Sequence, residues 1–294
     1  MIAGLRYGTH GMRGVVATRS TPCLSRRGVL KTGAVCGAWL AAAGPAFGVD
    51  LADVIAASKA SVVPVGTFDA TGNPRFAFRG TGFVVGDGRL VATNFHVLPE
   101  AAEGSSLAQM AVALTRAGST EGQARRARVV ATDRLRDLAL LEIEGAPLTP
   151  LSLAEPGAAR EGQGIALMGF PIGGTLGFSV VTHRGIISSI TKAALPAPTA
   201  RRLDPRAVSR LREGNFEVLQ LDATAFPGNS GGPVIDATTG RVLGIVNQVL
   251  VRGSRETALT NPTGITYAIP IFLLRELMQE LAREKATPAA SNPR

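Results

Sequence analysis

The hexapeptide Gly228–Pro233 (GNSGGP) places a serine between glycines. Glycine permits tight turns with positive φ and lets a ligand approach the backbone closely. An oxyanion hole needs these conditions, because two backbone N–H groups must bind a carbonyl oxygen beside an exposed nucleophile. The segment therefore predicts Ser230 as a nucleophile, with the N–H groups of Gly228 and Ser230 as oxyanion donors. The alternative is a polar turn between two strands.

A serine hydroxyl needs an adjacent base, usually a histidine that a carboxylate orients. The chain contains three histidines. His10 lies in a segment that we expect to be removed, and His183 lies between two apolar runs, where we expect a half-exposed ring. His96 closes the run 90–97, an apolar strand that ends in a short turn. We predict His96 as the base, and a buried ring without a catalytic role is the alternative.

The predicted carboxylate is Asp137, which directly precedes Leu138–Ile143 (LALLEI), a run that is apolar except for Glu142. An acid at the mouth of a buried strand is costly unless it is hydrogen-bonded. We predict that Asp137 orients the histidine. The alternative is a turn residue or a partner of Arg136, and Asp133, four residues earlier, is the competing acid.

The order His96, Asp137, Ser230 along the chain resembles that of the trypsin-like (chymotrypsin-fold) serine proteases. Local motifs resemble the HtrA/Deg branch in particular, and they run in register from about residue 51 to 285. Any one motif would be weak evidence, but their common order makes the resemblance specific. The matching segments are Thr93–Val97 (TNFHV), Asp137–Leu141 (DLALL), Gly169–Pro171 (GFP), Gly185–Ser188 (GIIS), Asp222–Pro227 (DATAFP) and Gly264–Pro270 (GITYAIP).

This resemblance implies an all-β fold of two six-stranded antiparallel β-barrels, with short N-terminal and C-terminal helices and an active site between the barrels. It also implies a serine endopeptidase that forms an acyl-enzyme and needs no metal or organic cofactor. The expected partners are polypeptides, including unfolded or misfolded proteins. Members of this branch often form trimers, so a homo-oligomer is one expected state.

The resemblance also indicates where the primary specificity pocket lies. Its walls are the segment before the nucleophile and a later strand, which here contribute Thr224, Ala225, Ile245, Val246 and Val249. An acid at the place of Thr224 would favour Lys or Arg in the substrate. We therefore expect cleavage after small or medium apolar residues.

Hydrophobic periodicity predicts barrel one over about 61–145 and barrel two over about 160–270. It also predicts a short helix at 51–59 and an amphipathic helix at 270–284. The protease domain is expected over 49–285, followed by a disordered tail at 286–294. Residues 192–216 read as a basic insertion. The strands are predicted near 61–67, 76–85, 89–93, 108–115, 125–132, 138–143, 164–168, 176–190, 217–222, 232–236, 242–249 and 264–269.

The segment 1–48 is predicted to be a twin-arginine export signal that is removed. Ser25–Lys31 (SRRGVLK) fits that pattern, and the apolar stretch after it is shorter than the roughly 20 residues that a membrane span needs. We expect a periplasmic or secreted bacterial protein without stable membrane insertion. Both cysteines and six of the basic residues lie in this segment, so the net charge falls from +9 to 9 − 6 = +3. A nucleic-acid partner is therefore not expected.

Two other functions compete with the endopeptidase. One is a catalytically silent, chaperone-like or scaffold binding protein on the same fold. The other is an acyl transferase or esterase that uses the same site.

Overall fold

The structure, a computed structural model, describes residues 50–99, 109–114, 123–171, 178–192, 216–247 and 265–286. These residues belong to one compact unit, Gly48–Arg294. The predicted export signal, nearly all of the basic insertion and Val249 lie outside the described residues.

Six strands form the first barrel: β1 Val62–Phe68, β2 Phe76–Val85, β3 Leu90–Asn94, β4 Gln109–Leu114, β5 Gln123–Asp133 and β6 Leu138–Ile143. They pair in the closed order β1-β2-β3-β6-β5-β4, and every pair is antiparallel. Closure leaves no free sheet edge, so each strand satisfies its backbone groups on both sides.

The second barrel repeats this arrangement with β7 Gly164–Gly169, β8 Val181–Lys192, β9 Glu217–Asp222, β10 Pro233–Asp236, β11 Val242–Asn247 and β12 Ile265–Pro270. Its closed order is β10-β11-β12-β9-β8-β7, again with antiparallel pairs. The predicted pair of six-stranded antiparallel barrels is confirmed. The predicted start of one strand near 176 is wrong, because β8 begins at Val181 and Phe178–Val180 precede it.

Two α-helices flank the barrels in the described part of the chain. Helix α1, Leu51–Lys59, begins after Asp50, whose side chain accepts a hydrogen bond from the Ala52 N–H. Helix α2, Ile271–Ala286, ends one residue inside the predicted tail, and the rest of that tail is not described. Its buried face comprises Ile271, Leu273, Leu274, Leu277 and Leu281. Neither helix is long and apolar enough to cross a membrane.

The larger hydrophobic core is shared by both barrels. Phe83, Leu138 and Leu140 of barrel one belong to the same cluster of buried side chains as Leu167 and Ile245 of barrel two. Burial of an aliphatic or aromatic side chain stabilises a fold by about 1.5–3 kcal/mol. The shared core therefore fixes how the two barrels face each other.

We expect Leu140→Ala to lower the free energy of unfolding by about 2–5 kcal/mol, because Leu140 is fully buried and its truncation leaves a cavity. Leu135→Ala is the matched control, since Leu135 is 38% exposed, and it should cost less than about 0.5 kcal/mol. Urea denaturation of both variants measures the difference. Equal losses would contradict the shared core.

Candidate active site

His96 lies in a single turn of 3-10 helix, Phe95–Val97, that directly follows β3. This turn sits at the end of a buried strand, because Leu90–Asn94 are almost all buried in barrel one. The His96 side chain keeps 27% of its surface exposed. The strand thus delivers a partly exposed imidazole to the end of the barrel.

Asp137 holds this imidazole from the turn between β5 and β6. Its Oδ2 atom lies 2.6 Å from His96 Nδ1, and its Oδ1 atom accepts the His96 backbone N–H at 2.8 Å. A neutral imidazole that donates from Nδ1 leaves Nε2 free to accept a proton. The carboxylate therefore fixes both the place and the orientation of the ring.

The backbone at Asp137 has φ 56°, the left-handed region that non-glycine residues seldom adopt. Its carbonyl oxygen accepts hydrogen bonds from the Phe95 N–H at 3.1 Å and from Asn94 Nδ2 at 3.0 Å. These bonds join the β5–β6 turn to the histidine turn. They offset a conformation that costs on the order of 1–3 kcal/mol.

The competing acid, Asp133, is engaged in its own turn. Its Oδ1 atom accepts the backbone N–H groups of Leu135 and Arg136, both at 3.0 Å, and its Oδ2 atom pairs with the Arg136 guanidinium at 3.2 Å. The Asp133 carboxylate therefore binds residues of the β5–β6 turn, whereas the Asp137 carboxylate binds His96.

Asn247 is a member of this site that the sequence reasoning missed. Its Nδ2 atom donates to Asp137 Oδ2 at 2.9 Å, from the end of β11 in the other barrel. The residue is 3% exposed, and a buried carboxamide normally needs a hydrogen-bond partner. A polar residue that closes the apolar run Val242–Val246 was the available signal.

Ser230 follows a tight turn that is closed by the Asn229 N–H and the Phe226 carbonyl at 3.0 Å. Pro227 and Gly228 occupy the centre of this turn. Gly228 has φ 106°, the positive φ that the third position of a type II turn requires. A Cβ at Gly228 would clash with the Phe170 carbonyl oxygen, so the position demands glycine for space as well.

The backbone of Ser230 is anchored on both barrels. Its carbonyl oxygen accepts the Thr81 N–H of β2 at 2.9 Å, and the next residue, Gly231, donates to the Val246 carbonyl at 3.0 Å. A Cβ at Gly231 would lie 3.1 Å from the backbone nitrogen of Asn94. The serine segment therefore packs against the chain two residues before His96.

The predicted oxyanion donors are two backbone N–H groups that are free to bind a substrate oxygen. Within the described residues, neither the Gly228 N–H nor the Ser230 N–H is engaged in a hydrogen bond. The Ser230 hydroxyl likewise has no described partner, and catalytic hydrogen bonds often tighten only when substrate binds. Ser230 keeps 6% exposure.

Four of the five predicted pocket residues lie in the described part of the chain. Thr224 and Ala225 are half-buried and lie between β9 and the nucleophile turn. Ile245 and Val246 are fully buried in β11, and Ala225 packs against the core cluster that contains them. Val249 is not among the described residues.

His183 lies in β8, away from the contacts that hold His96. Its ring packs against Phe226 with the ring centroids 5.7 Å apart, and its Nε2 atom is buried without a partner in the described part of the chain. Burial lowers the pKa of His183 below its ordinary value, because desolvation disfavours the imidazolium.

A sequence profile of the trypsin-like peptidase domain matches residues 80–245, more than half of the chain. The chain belongs to the trypsin-like peptidase family. The matched range begins directly before Thr81 and includes His96, Asp137 and Ser230.

Similar proteins carry HtrA and DegP names. One is named as a probable periplasmic serine endoprotease, DegP-like, from Pseudomonas fluorescens; it is 28% identical over 202 residues, which is 69% of this chain and 34% of that protein. The mitochondrial serine protease HTRA2 of Drosophila ananassae is 27% identical over 246 residues, 82% of this chain and 49% of its own. This chain thus spans half or less of the length of these relatives.

A solved structure shares the fold. The HtrA-type protease AlgW with decapeptide superposes with a TM-score of 0.56, at 24% identity, over 80% of this chain and 68% of its own. At this identity the match shows the chymotrypsin-like fold. The DegP and HTRA2 names of the similar proteins support the HtrA-like resemblance that the motifs predicted.

We expect the stability of the wild type to fall as the pH drops below about 6.5, the ordinary pKa of histidine. His183 has a lowered pKa in the folded state, so the unfolded chain binds the proton first, and the loss ends once the pH passes below the folded pKa.

His183→Gln removes this titrating group and keeps a polar side chain. Its unfolding free energy should therefore decline less than that of the wild type between pH 7.5 and pH 5. Urea denaturation at both values provides the measurement. Parallel declines in the two proteins would show that His183 does not contribute.

Proposed function

We propose that this protein is a serine endopeptidase that uses Ser230, His96 and Asp137 as a catalytic triad. The observation that carries the proposal is the 2.6 Å contact between His96 Nδ1 and Asp137 Oδ2, in a turn packed against the serine segment. Such an arrangement suits acyl transfer, because the base is oriented and the nucleophile lies on a glycine turn.

In the first step, Ser230 Oγ attacks the carbonyl carbon of the peptide bond while His96 Nε2 takes its proton. Asp137 keeps the proton on Nδ1 and stabilises the imidazolium that forms. His96 then protonates the leaving amine, and the C–N bond breaks to give an acyl-enzyme. Water enters by the same route and releases the acid.

The charge that develops on the substrate oxygen needs fixed donors. The N–H groups of Gly228 and Ser230 are the proposed pair, and the lack of described partners for both supports this role. Loss of one oxyanion donor typically costs about 10²–10³ in rate. The positive φ of Gly228 is therefore part of the proposed mechanism.

The proposed substrates are polypeptides, cleaved after small or medium apolar residues. Thr224 and Ala225 offer no charge to a substrate side chain, and fully buried Ile245 and Val246 belong to the adjoining strand. The solved HtrA-type neighbour is described with a decapeptide, which supports a peptide ligand for this site.

Export to the periplasm or beyond is part of the same proposal. The twin-arginine pattern at Ser25–Lys31 supports it, and the similar Pseudomonas protein carries a periplasmic name. A homo-oligomer remains part of the HtrA resemblance, and a sizing measurement on the mature protein tests it.

We expect Ser230→Ala to abolish labelling by a fluorophosphonate probe and to lower the rate of casein cleavage by roughly 10⁶-fold, because the nucleophile is lost. Ser188→Ala is the matched control; its hydroxyl donates to the Gln220 carbonyl at 3.0 Å on the exposed side of β8. Gel fluorescence and casein turnover give the two readouts.

Labelling of the Ala variant would remove Ser230 from its role. A folded wild type that neither labels nor cleaves casein would instead favour the silent scaffold. Turnover of esters without turnover of peptides would favour the esterase.

We expect Thr224→Asp to shift the preference toward Lys or Arg before the cleaved bond, because a carboxylate in the pocket attracts a cationic side chain. Thr224→Val keeps the shape of the side chain and adds no charge, so it should keep the apolar preference. Profiling with a peptide library measures both variants. An unchanged profile in the Asp variant would place Thr224 outside the specificity pocket.

A further inference from the structure

The turn that carries His96 is held at two ends by groups of opposite charge. At its start, the Asp137 carboxylate and carbonyl accept the His96 and Phe95 N–H groups. At its end, Arg79 of β2 donates from Nε to the Val97 carbonyl at 2.8 Å and from Nη2 to the Leu98 carbonyl at 3.2 Å. A cation at the carboxyl end of a helical turn complements the backbone dipole.

The turn itself provides no hydrogen-bond donor for the Val97 and Leu98 carbonyls. The 3-10 helix closes with the Leu98 N–H on the Phe95 carbonyl at 3.0 Å, so the next carbonyls need other donors. A guanidinium offers several N–H groups in one rigid plane, and it can therefore hold two neighbouring carbonyls at once.

Arg79 also stands at the start of a short stretch of β2 that touches both parts of the site. Next to it, a Cβ at Gly80 would lie 2.7 Å from Val97 Cγ2 and 3.0 Å from the Ser230 carbonyl oxygen. Thr81 then donates its N–H to that same Ser230 carbonyl at 2.9 Å and its hydroxyl to the Gly228 carbonyl at 2.6 Å.

We propose that Arg79 is a positioning residue for His96: its guanidinium fixes the end of the histidine turn at the distance from Ser230 that proton transfer requires. The neighbouring contacts explain why this point is sensitive. Residues 79–81 form a strand between the histidine turn and the serine segment. If the turn shifts relative to Arg79, the imidazole therefore also shifts relative to the nucleophile. This inference rests on the proposed function of the triad.

The test compares Arg79→Met, which removes the donors, with Arg79→Lys, which keeps the charge and loses the planar fork. A misplacement of about 1 Å can cost roughly 10²-fold in rate, so we expect Arg79→Met to lower kcat by about 10–100-fold with little change in KM. Arg79→Lys should fall between it and the wild type. Active sites are counted by fluorophosphonate titration, so that kcat refers to folded, reactive protein only.

Arg125→Met is the matched control, because Arg125 donates to the Ala146 carbonyl at 2.6 Å in the same barrel, on a segment with no described contact to His96. It should keep the wild-type kcat.

Chemical rescue provides a readout that a merely structural role would not move. Millimolar guanidinium ion should restore part of the kcat of Arg79→Ala and leave Arg125→Ala unchanged. The His96 Nδ1 proton is expected far downfield in proton NMR spectra, because Nδ1 lies 2.6 Å from Asp137 Oδ2. Its signal should broaden in Arg79→Met and remain sharp in Arg125→Met.

The outcomes separate this inference from the proposed function. A wild type that the probe does not label would overturn the triad itself. A labelled wild type together with an Arg79→Met variant of unchanged kcat per active site, or a kcat loss without rescue by guanidinium, would overturn only the positioning role.

Discussion

The Asp137 carboxylate accepts hydrogen bonds from the His96 backbone, the His96 ring and the Asn247 side chain. The first two bonds hold the histidine turn, and the third comes from barrel two. This single group therefore joins three pieces of backbone that are far apart along the chain. Because charge-assisted hydrogen bonds are shorter and stronger than neutral ones, they can stabilise the left-handed backbone of the Asp137 turn. The geometry of the candidate site depends on this carboxylate more than on any other group.

The proposed base and the proposed nucleophile are fixed by different kinds of contact. His96 is held mainly by side chains, namely those of Asp137 and Arg79. Ser230 is held mainly by its backbone neighbours, because Gly228 and Gly231 leave no room for a Cβ and so bring the main chain against its surroundings. A side chain can be replaced by another of similar chemistry. No other residue can replace a glycine where a Cβ would clash with the neighbouring backbone. The glycines of the serine segment were accordingly the stronger signal in the sequence.

The sequence was sufficient for the architecture, and its errors have physical causes. Alternating and apolar runs predicted both barrels, because period-two burial is a property of the strand itself. The start of β8 was wrong because Phe178 and Val180 look like strand residues; Phe178 instead packs edge-on against Phe76 at 5.6 Å. Asp133 remained the competing acid beside the predicted Asp137, since the two lie four residues apart and only the fold decides which of them faces His96. Asn247 was missed because its partner lies 110 residues away.

Aromatic packing between the barrels also stabilises the turn before the nucleophile. Phe78 of barrel one and Phe170 of barrel two meet edge-on at 6.4 Å, and Phe78 would lie 3.3 Å from a Cβ at Gly228. The chain from residue 50 onward contains no cysteine, so no disulfide can fix this turn. Thr81 adds the polar part of the support, because its hydroxyl donates to the Gly228 carbonyl and accepts the Phe170 N–H at 3.1 Å. Since Thr81 belongs to barrel one and Phe170 to barrel two, the conformation of the proposed oxyanion turn depends on the contact between the barrels.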